Sequence, residues 1–192
     1  MQNINGVGSS QELILSLEKE LTRLRIETWL NHQVFEWQWW LLVAALIIPW
    51  LVWWKYADRK HLLEITIFGT ISIILVSYLD ALLTELGMWH YNYSVVPLWP
   101  RLISADFALL PVTYMFIYQQ FKSLTSFLLV MTVTSALLAF AGESFLIWTN
   151  IYELNAWKHY YSFPIYLIIG IVVRWLVMTL VRQHESSKTG NG

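Results

Sequence analysis

Leu62-Leu63-Glu64-Ile65-Thr66-Ile67-Phe68-Gly69-Thr70-Ile71-Ser72-Ile73-Ile74-Leu75-Val76-Ser77-Tyr78-Leu79-Asp80-Ala81-Leu82-Leu83 is long enough and apolar enough to cross a lipid bilayer as one helix. Roughly 20 residues at about 1.5 Å each cover the ~30 Å hydrocarbon layer. One residue resists that description. Asp80 lies three positions from the end of the stretch, where a carboxylate costs several kcal/mol unless it faces protein or water and finds a partner. A span that carries such a group needs neighbours.

Four further apolar segments supply them, over residues 37–54, 104–118, 127–149 and 163–181. Trp37, Trp39 and Trp40 flank one end of the first and Trp50, Trp53 and Trp54 the other, the belt expected where amphipathic rings meet headgroups. Pro49 is expected to kink that span near its exit, Ser104 to cap the third, and Pro164 to open the fifth where a missing amide hydrogen does no harm. The fold class expected is all-α, an integral membrane bundle of five transmembrane helices preceded by an amphipathic helix.

Composition agrees with that class. The chain has 192 residues, of which 57% are hydrophobic and 13% charged, with twelve Trp, ten Tyr and nine Phe. Its mean hydropathy is +0.49. Soluble domains carry about twice that share of charge. A net charge of −1 offers nothing to nucleic acid, and the absence of cysteine removes disulfides, thiolate zinc sites and cysteine nucleophiles. The N-terminus lacks the basic and apolar pattern of a cleaved signal, so the first span is expected to act as its own anchor.

Residues 1–8 are polar and Gly-rich and are expected to be disordered. Ser9-Ser10-Gln11-Glu12 reads as a capping box that starts a helix over 9–34. Within it Ile14, Leu17, Leu21, Leu24 and Thr28 recur at spacings of three and four, one stripe among Glu18, Lys19, Glu20 and Arg23. That stripe suits packing on the bundle or on headgroups; at under three heptads a homo-oligomeric coiled coil is the second reading. Residues 35–182 form the membrane domain and 183–192 a polar, frayed tail. Lys55, Arg59, Lys60, Lys122, Arg182 and Lys188 outnumber Arg101 and Lys158, which assigns the Lys55 side to the cytoplasm and the N-terminus to the outside. Lys19, Arg23 and Arg25 weigh against that orientation.

Asp80, Asp106 and Glu143 come from three different spans, each close to the end that meets the same two loops. At about 100° per residue, Asp80 shares a face with Thr66, Gly69, Ser77 and Thr84. Asp106 falls with Leu110, Thr113, Ile117 and Gln120, and Glu143 with Thr125, Thr132, Ala136, Ala139 and Asn150. Small and polar residues mark helix-to-helix faces, so the acids are expected to point inward as candidate catalytic groups. Above them the loops bring Glu85, Trp89, His90, Tyr91, Arg101, Trp157 and His159, a candidate ligand-binding vestibule. Neutralisation of the acids by Arg101, His90 and His159 as packing glue is the competing account. No two acids share the helical spacing of a compact metal motif, so neither a metal nor a cofactor is expected. Glu64 and Arg174, at matching depth on the other side, are expected to form a structural ion pair, with snorkelling of Arg174 as the alternative. No phosphate loop, His-Glu-x-x-His or Gly-x-Ser-x-Gly occurs.

Tyr78-Leu79-Asp80 through Gly87-Met88-Trp89, Tyr91 to Pro97, Asp106 to Pro111, Tyr114, Gly142-Glu143 and Trp157-Lys158-His159-Tyr160-Tyr161-Ser162 together carry a resemblance. Over about residues 37–182 the chain resembles an uncharacterised family of small multi-span membrane proteins of spore-forming Firmicutes. That resemblance implies a bacterial plasma membrane and a role linked to sporulation, and implies no activity.

Three functions stay open. The aromatic vestibule over an acidic floor suits a binding protein for membrane lipids, an isoprenoid or another lipid-like small molecule. The same acids suit a membrane-embedded acid-base enzyme of cyclase type acting on a lipid-soluble substrate. A proton-coupled transporter component ranks third, because polar groups concentrate at one end and do not run through the membrane thickness.

Overall fold

A computed structural model describes residues 4–98 and 102–189 as helices joined by short turns, with one two-stranded ribbon. In chain order these are α1 (Ile4–His32), α2 (Trp37–Tyr56), α3 (Leu62–Glu85), β1 (Trp89–Tyr91), α4 (Leu110–Gln120), α5 (Leu124–Ala136), α6 (Glu143–Trp148), β2 (Tyr152–Leu154) and α7 (His159–Thr189). A π-helical turn, Ala105–Leu109, leads into α4, and another, Leu137–Gly142, joins α5 to α6.

Four helical segments are long and apolar enough to cross a membrane: Trp37–Tyr56, Arg59–Glu85, Leu124–Trp148 and His159–His184. The run through α4, residues 103–120, does not meet that test because Asp106, Pro111, Gln119 and Gln120 dilute its hydropathy. Its surroundings explain the composition. Leu110, Pro111, Val112, Tyr114, Met115, Ile117, Tyr118 and Gln119 are all buried, so α4 meets α2, α3 and α5 instead of lipid. Bundle-facing helices are free to carry polar groups that lipid-facing ones exclude.

The core around α4 is built from Phe68 of α3, Tyr114 and Met115 of α4, Phe127 and Met131 of α5, and Val173 of α7. Glycines let the helices approach where two methionines cross. A Cβ on Gly69 would collide with Met115 Sδ, and one on Gly170 with Met131 Cε. Polar pins fix the helices in rotation. Trp50 Nε1 donates to Phe107 O at 3.0 Å, a carbonyl inside the first π turn. Ser104, expected to cap the third span, instead donates its hydroxyl to Leu42 O of α2 at 2.8 Å.

Several expected boundaries move. The first helix begins at Ile4, not Ser9, which takes in part of the segment expected to be disordered; residues 1–3 lie outside the described residues. Leu13, Ile14, Leu17, Leu21 and Leu24 are exposed along it. Its C-terminal end is tied down, with Trp29 Nε1 donating to Ser94 O at 3.0 Å before Phe35, at φ 67°, turns the chain into α2. The last helix starts at His159, so Pro164 sits inside it and not at its head, and it continues through Thr189 where a frayed tail was expected.

Candidate functional site

Two helices end alike, and that shared ending builds the roof of the site. α3 closes at Gly87, φ 72°, with Gly87 N donating to Thr84 O and Met88 N to Leu83 O, both at 3.0 Å. α6 closes at Asn150, φ 59°, with Asn150 N donating to Ile147 O and Ile151 N to Leu146 O, both at 2.9 Å. Both are left-handed caps in which the amide three residues past the helix reaches back to its last turn, a geometry open to Gly and tolerated by Asn. Two residues beyond each cap a strand begins, and the strands pair antiparallel, Trp89 with Leu154, His90 with Glu153 and Tyr91 with Tyr152. Asp80 precedes Gly87 by seven residues and Glu143 precedes Asn150 by seven, so each acid lies two helical turns, about 10 Å, below its cap. The two segments are local analogues: acid, two turns of helix, left-handed cap, aromatic strand.

Alternation along the ribbon sorts its residues. Trp89, Tyr91 and Tyr152 face the bundle, while His90 and Glu153 lie on the other side, with His90 Nε2 3.3 Å from Glu153 Oε2 and His90 Nδ1 3.2 Å from Asn155 Oδ1. Trp89 and Trp157 meet edge to face at 5.1 Å, and Tyr91 stacks on Tyr152 at 5.4 Å.

Beneath this roof is a cavity of about 90 Å³ whose walls include Asp80, Asp106 and Glu143. Asp80 Oδ1 accepts from Tyr91 OH at 2.5 Å and from Trp89 Nε1 at 3.2 Å. Glu143, 5% exposed, accepts from Tyr166 OH at 2.8 Å on Oε1 and lies 2.8 Å from His159 Nδ1 through Oε2. Asp106 differs. It is 3% exposed and its Oδ2 is buried without a hydrogen-bond partner among the described residues. An unsatisfied buried acceptor costs about 1–3 kcal/mol, more if charged, unless something outside the chain meets it.

The two π turns aim the acids. Asp106 sits within one and Glu143 follows the other directly. A π turn bonds i to i+5 and so resets the face that the following residues present, a device frequent at functional sites. Hence facing from a uniform 100° per residue fails for Glu143. Of the set expected to share its face, Ala139 is buried as expected and Ala136 half-buried, but Thr125, Thr132 and Asn150 are exposed, and the buried line is Phe127, Met131, Ser135, Ala139 and Glu143. For Asp80, before any π turn, Gly69, Ser77 and Thr84 are buried as expected and Thr66 is not.

Among the expected vestibule residues, Trp89, Tyr91 and Trp157 line the cavity. His159 reaches it through Glu143. His90 turns away, and Glu85 borders a separate cleft between α1 and the loop, with Leu24, Arg25 and Pro97. Arg101 lies outside the described residues. Tyr152, Ser162 and Tyr166 also line the cavity and were not anticipated. The seven-residue recurrence was the available signal for Tyr152; Tyr166 had none. Among the described residues no group of three His, Asp or Glu side chains is close enough to share a metal ion.

The Tyr91 and Tyr152 phenols are held in their protonated form. Burial, then the negative charge of Asp80 and Asp106, raises the Tyr91 phenol well above its ordinary value. Burial, then Glu143 and Asp80, raises that of Tyr152. Both remain protonated at neutral pH, which suits the carboxylates below them.

The expected ion pair between Glu64 and Arg174 does not form. Arg174 donates from Nη1 to Phe121 O at 3.0 Å and from Nη2 to Lys122 O at 2.5 Å, and stacks on Phe127 at 4.4 Å. Phe121 caps α4, so the guanidinium satisfies carbonyls that a helix end leaves without partners. Glu64 accepts instead from Tyr118 OH.

No family model, no curated protein and no solved structure matches this chain.

Proposed function

We propose that the protein is a five-pass integral membrane protein that binds a lipid-like or isoprenoid molecule, drawing its polar end from the bilayer into the acidic cavity. The observation that carries this reading is a shared wall. A groove of about 350 Å³ runs along Leu41, Leu42, Ala45, Leu109, Leu138 and Phe145, and Glu143, Leu102, Ala105, Leu110, Leu146 and Tyr166 border both it and the cavity. Size supports a division of labour. About 90 Å³ suits a polar head or a few waters, whereas whole small-molecule ligands occupy roughly 300–1,000 Å³. The apolar groove suits a hydrocarbon tail, and Asp106 Oδ2 offers the head an acceptor.

Connectivity supports reading five crossings: α3 ends beside the ribbon, α5 begins at the opposite end, and α4 joins them through the centre. Lys55, Arg59, Lys60, Lys122 and Arg182 put that opposite end in the cytoplasm and the ribbon outside. The resemblance noted from sequence would make the membrane a bacterial plasma membrane.

An enzyme reading uses the same cavity, with Asp106 as the acid or base for a lipid-soluble substrate. It is favoured by that one oxygen without a protein partner. Transport is disfavoured by the apolar belt of Phe68, Tyr114, Met115, Phe127 and Met131 across the middle. Native mass spectrometry of lipids co-purifying with the wild type, Glu143→Gln and Ala45→Trp tests the proposal. Ala45→Trp fills the groove from α2 and leaves every acid unsubstituted. Loss of one bound lipid from both variants supports binding, and a chemically altered lipid in the wild type alone supports the enzyme. Identical lipid profiles in all three would refute both.

A further inference from the structure

The end of the bundle away from the acids holds a second unassigned feature. Lys122, Arg174 and Arg182 border two adjoining clefts, of about 390 and 240 Å³, between α5, α7 and the end of α4. The larger is walled by Leu124, Phe127, Leu128, Ile171 and Trp175. Leu124 and Trp175 are exposed at 61% and 65%, apolar surface that an acyl chain would cover. Arg174 contributes more than charge. Only 5% exposed, it uses both terminal nitrogens on carbonyls and leaves Nε buried with no partner among the described residues. The acid on the border of the smaller cleft, Glu64, accepts from Tyr118 OH. Three cations against one acid leave the paired clefts positive.

We propose that this is a binding site for an anionic phospholipid, with the phosphate on Lys122, Arg182 and Arg174 Nε and an acyl chain along Leu124, Leu128, Ile171 and Trp175. Charge complementarity and position select the occupant. Basic clefts between membrane helices at one interface recognise anionic headgroups, and a soluble partner would not bring hydrocarbon to the apolar wall. The site is independent of the acidic cavity and does not require that a ligand bind there.

The test uses the full chain in a zwitterionic detergent, titrated with mixed micelles of phosphatidylglycerol or phosphatidylcholine and followed by melting temperature and native mass spectrometry. Arg174 holds the end of α4, so the variant is Lys122→Gln with Arg182→Gln, which leaves Arg174 in place. The wild type is expected to melt higher with phosphatidylglycerol than with phosphatidylcholine. The double variant is expected to fold, keep its response to phosphatidylcholine and lose roughly thirtyfold in affinity for phosphatidylglycerol. Equal response of the wild type to the two lipids, or an undiminished preference in the double variant, overturns the proposal. A melting shift reproduced by millimolar inorganic phosphate alone assigns the clefts to a free anion and overturns the lipid as occupant. If the double variant does not fold, Lys122→Gln alone is expected to show a roughly fivefold loss, and its retention of full preference overturns the site.

Discussion

The two ends of the bundle solve opposite charge problems in opposite ways. At the turn end a buried cation, Arg174, spends its terminal donors on the main-chain carbonyls of Phe121 and Lys122. At the ribbon end the half-buried Asp80 and the buried Glu143 accept from side chains, Tyr91, Trp89, Tyr166 and His159, that surround an open cavity. Main-chain partners belong to the fold, and losing them unravels a helix end. Side-chain partners around a cavity can be exchanged for a ligand. The difference separates a guanidinium whose terminal donors hold a helix end from carboxylates whose partners a ligand could replace, although all three are charged residues in apolar segments.

Substitutions at the two ends should therefore differ most in stability. Arg174→Gln removes two charged hydrogen bonds and the stacking on Phe127, and should destabilise the protein by about 3–5 kcal/mol, read from detergent melting. Glu143→Gln keeps the shape and an acceptor for Tyr166 and should cost no more than about 1 kcal/mol. A reversal of that order would erase the contrast.

Next in size come the caps that launch the ribbon. Gly87→Ala forces a Cβ into the left-handed region and should cost about 1–2 kcal/mol, with Asn150→Ala costing less. Hydrogen exchange sharpens this. Amides of Trp89–Tyr91 and Tyr152–Leu154 should lose protection in either variant, because one cap positions one strand and the strands hold each other.

The smallest effect is a pH dependence of the roof. The folded-state pKa values of Tyr91 and Tyr152 lie above the ordinary phenol value of 10.0. Raised values mean that their contribution is complete below 10.0 and declines as pH rises past it, where the unfolded chain ionises and the folded roof resists. Wild-type protein should lose more melting temperature between pH 9 and pH 11 than Tyr91→Phe with Tyr152→Phe. Equal slopes would place these phenols outside the buried network.

What the sequence made legible follows from which signals are local. Long apolar runs marked α2, α3, α5 with α6, and α7, with flanking tryptophans at α2, because a bilayer constrains the composition of a span. The same signal is weak for α4, whose neighbours are protein, so a crossing by α4 is proposed from connectivity alone. The acids stood out because charge in an apolar run is conspicuous, and all three line one cavity. Their orientation was less readable. A π turn leaves no composition signature, and the turn at Leu137–Gly142 shifted the face calculated for Glu143. Nor could matching depth identify partners. Glu64 and Arg174 looked paired, yet the carbonyls of Phe121 and Lys122 compete for the guanidinium at closer range. The strand pairing was hidden in segments of three residues, too short for periodicity, although the equal spacing from Asp80 to Gly87 and from Glu143 to Asn150 foreshadowed it.

The central claim is that the carboxyl of Glu143 faces a cavity reached from lipid. Carbodiimide labelling in vesicles, mapped by peptide mass spectrometry, tests it most directly, since a lipid-soluble carbodiimide reaches carboxyls from the bilayer and a charged one only from water. Glu143 should react with the lipid-soluble reagent and not the charged one, and Ala45→Trp, which plugs the groove, should suppress the reaction. Labelling of Glu143 by the charged reagent alone, or labelling by the lipid-soluble reagent that Ala45→Trp leaves unchanged, would contradict it.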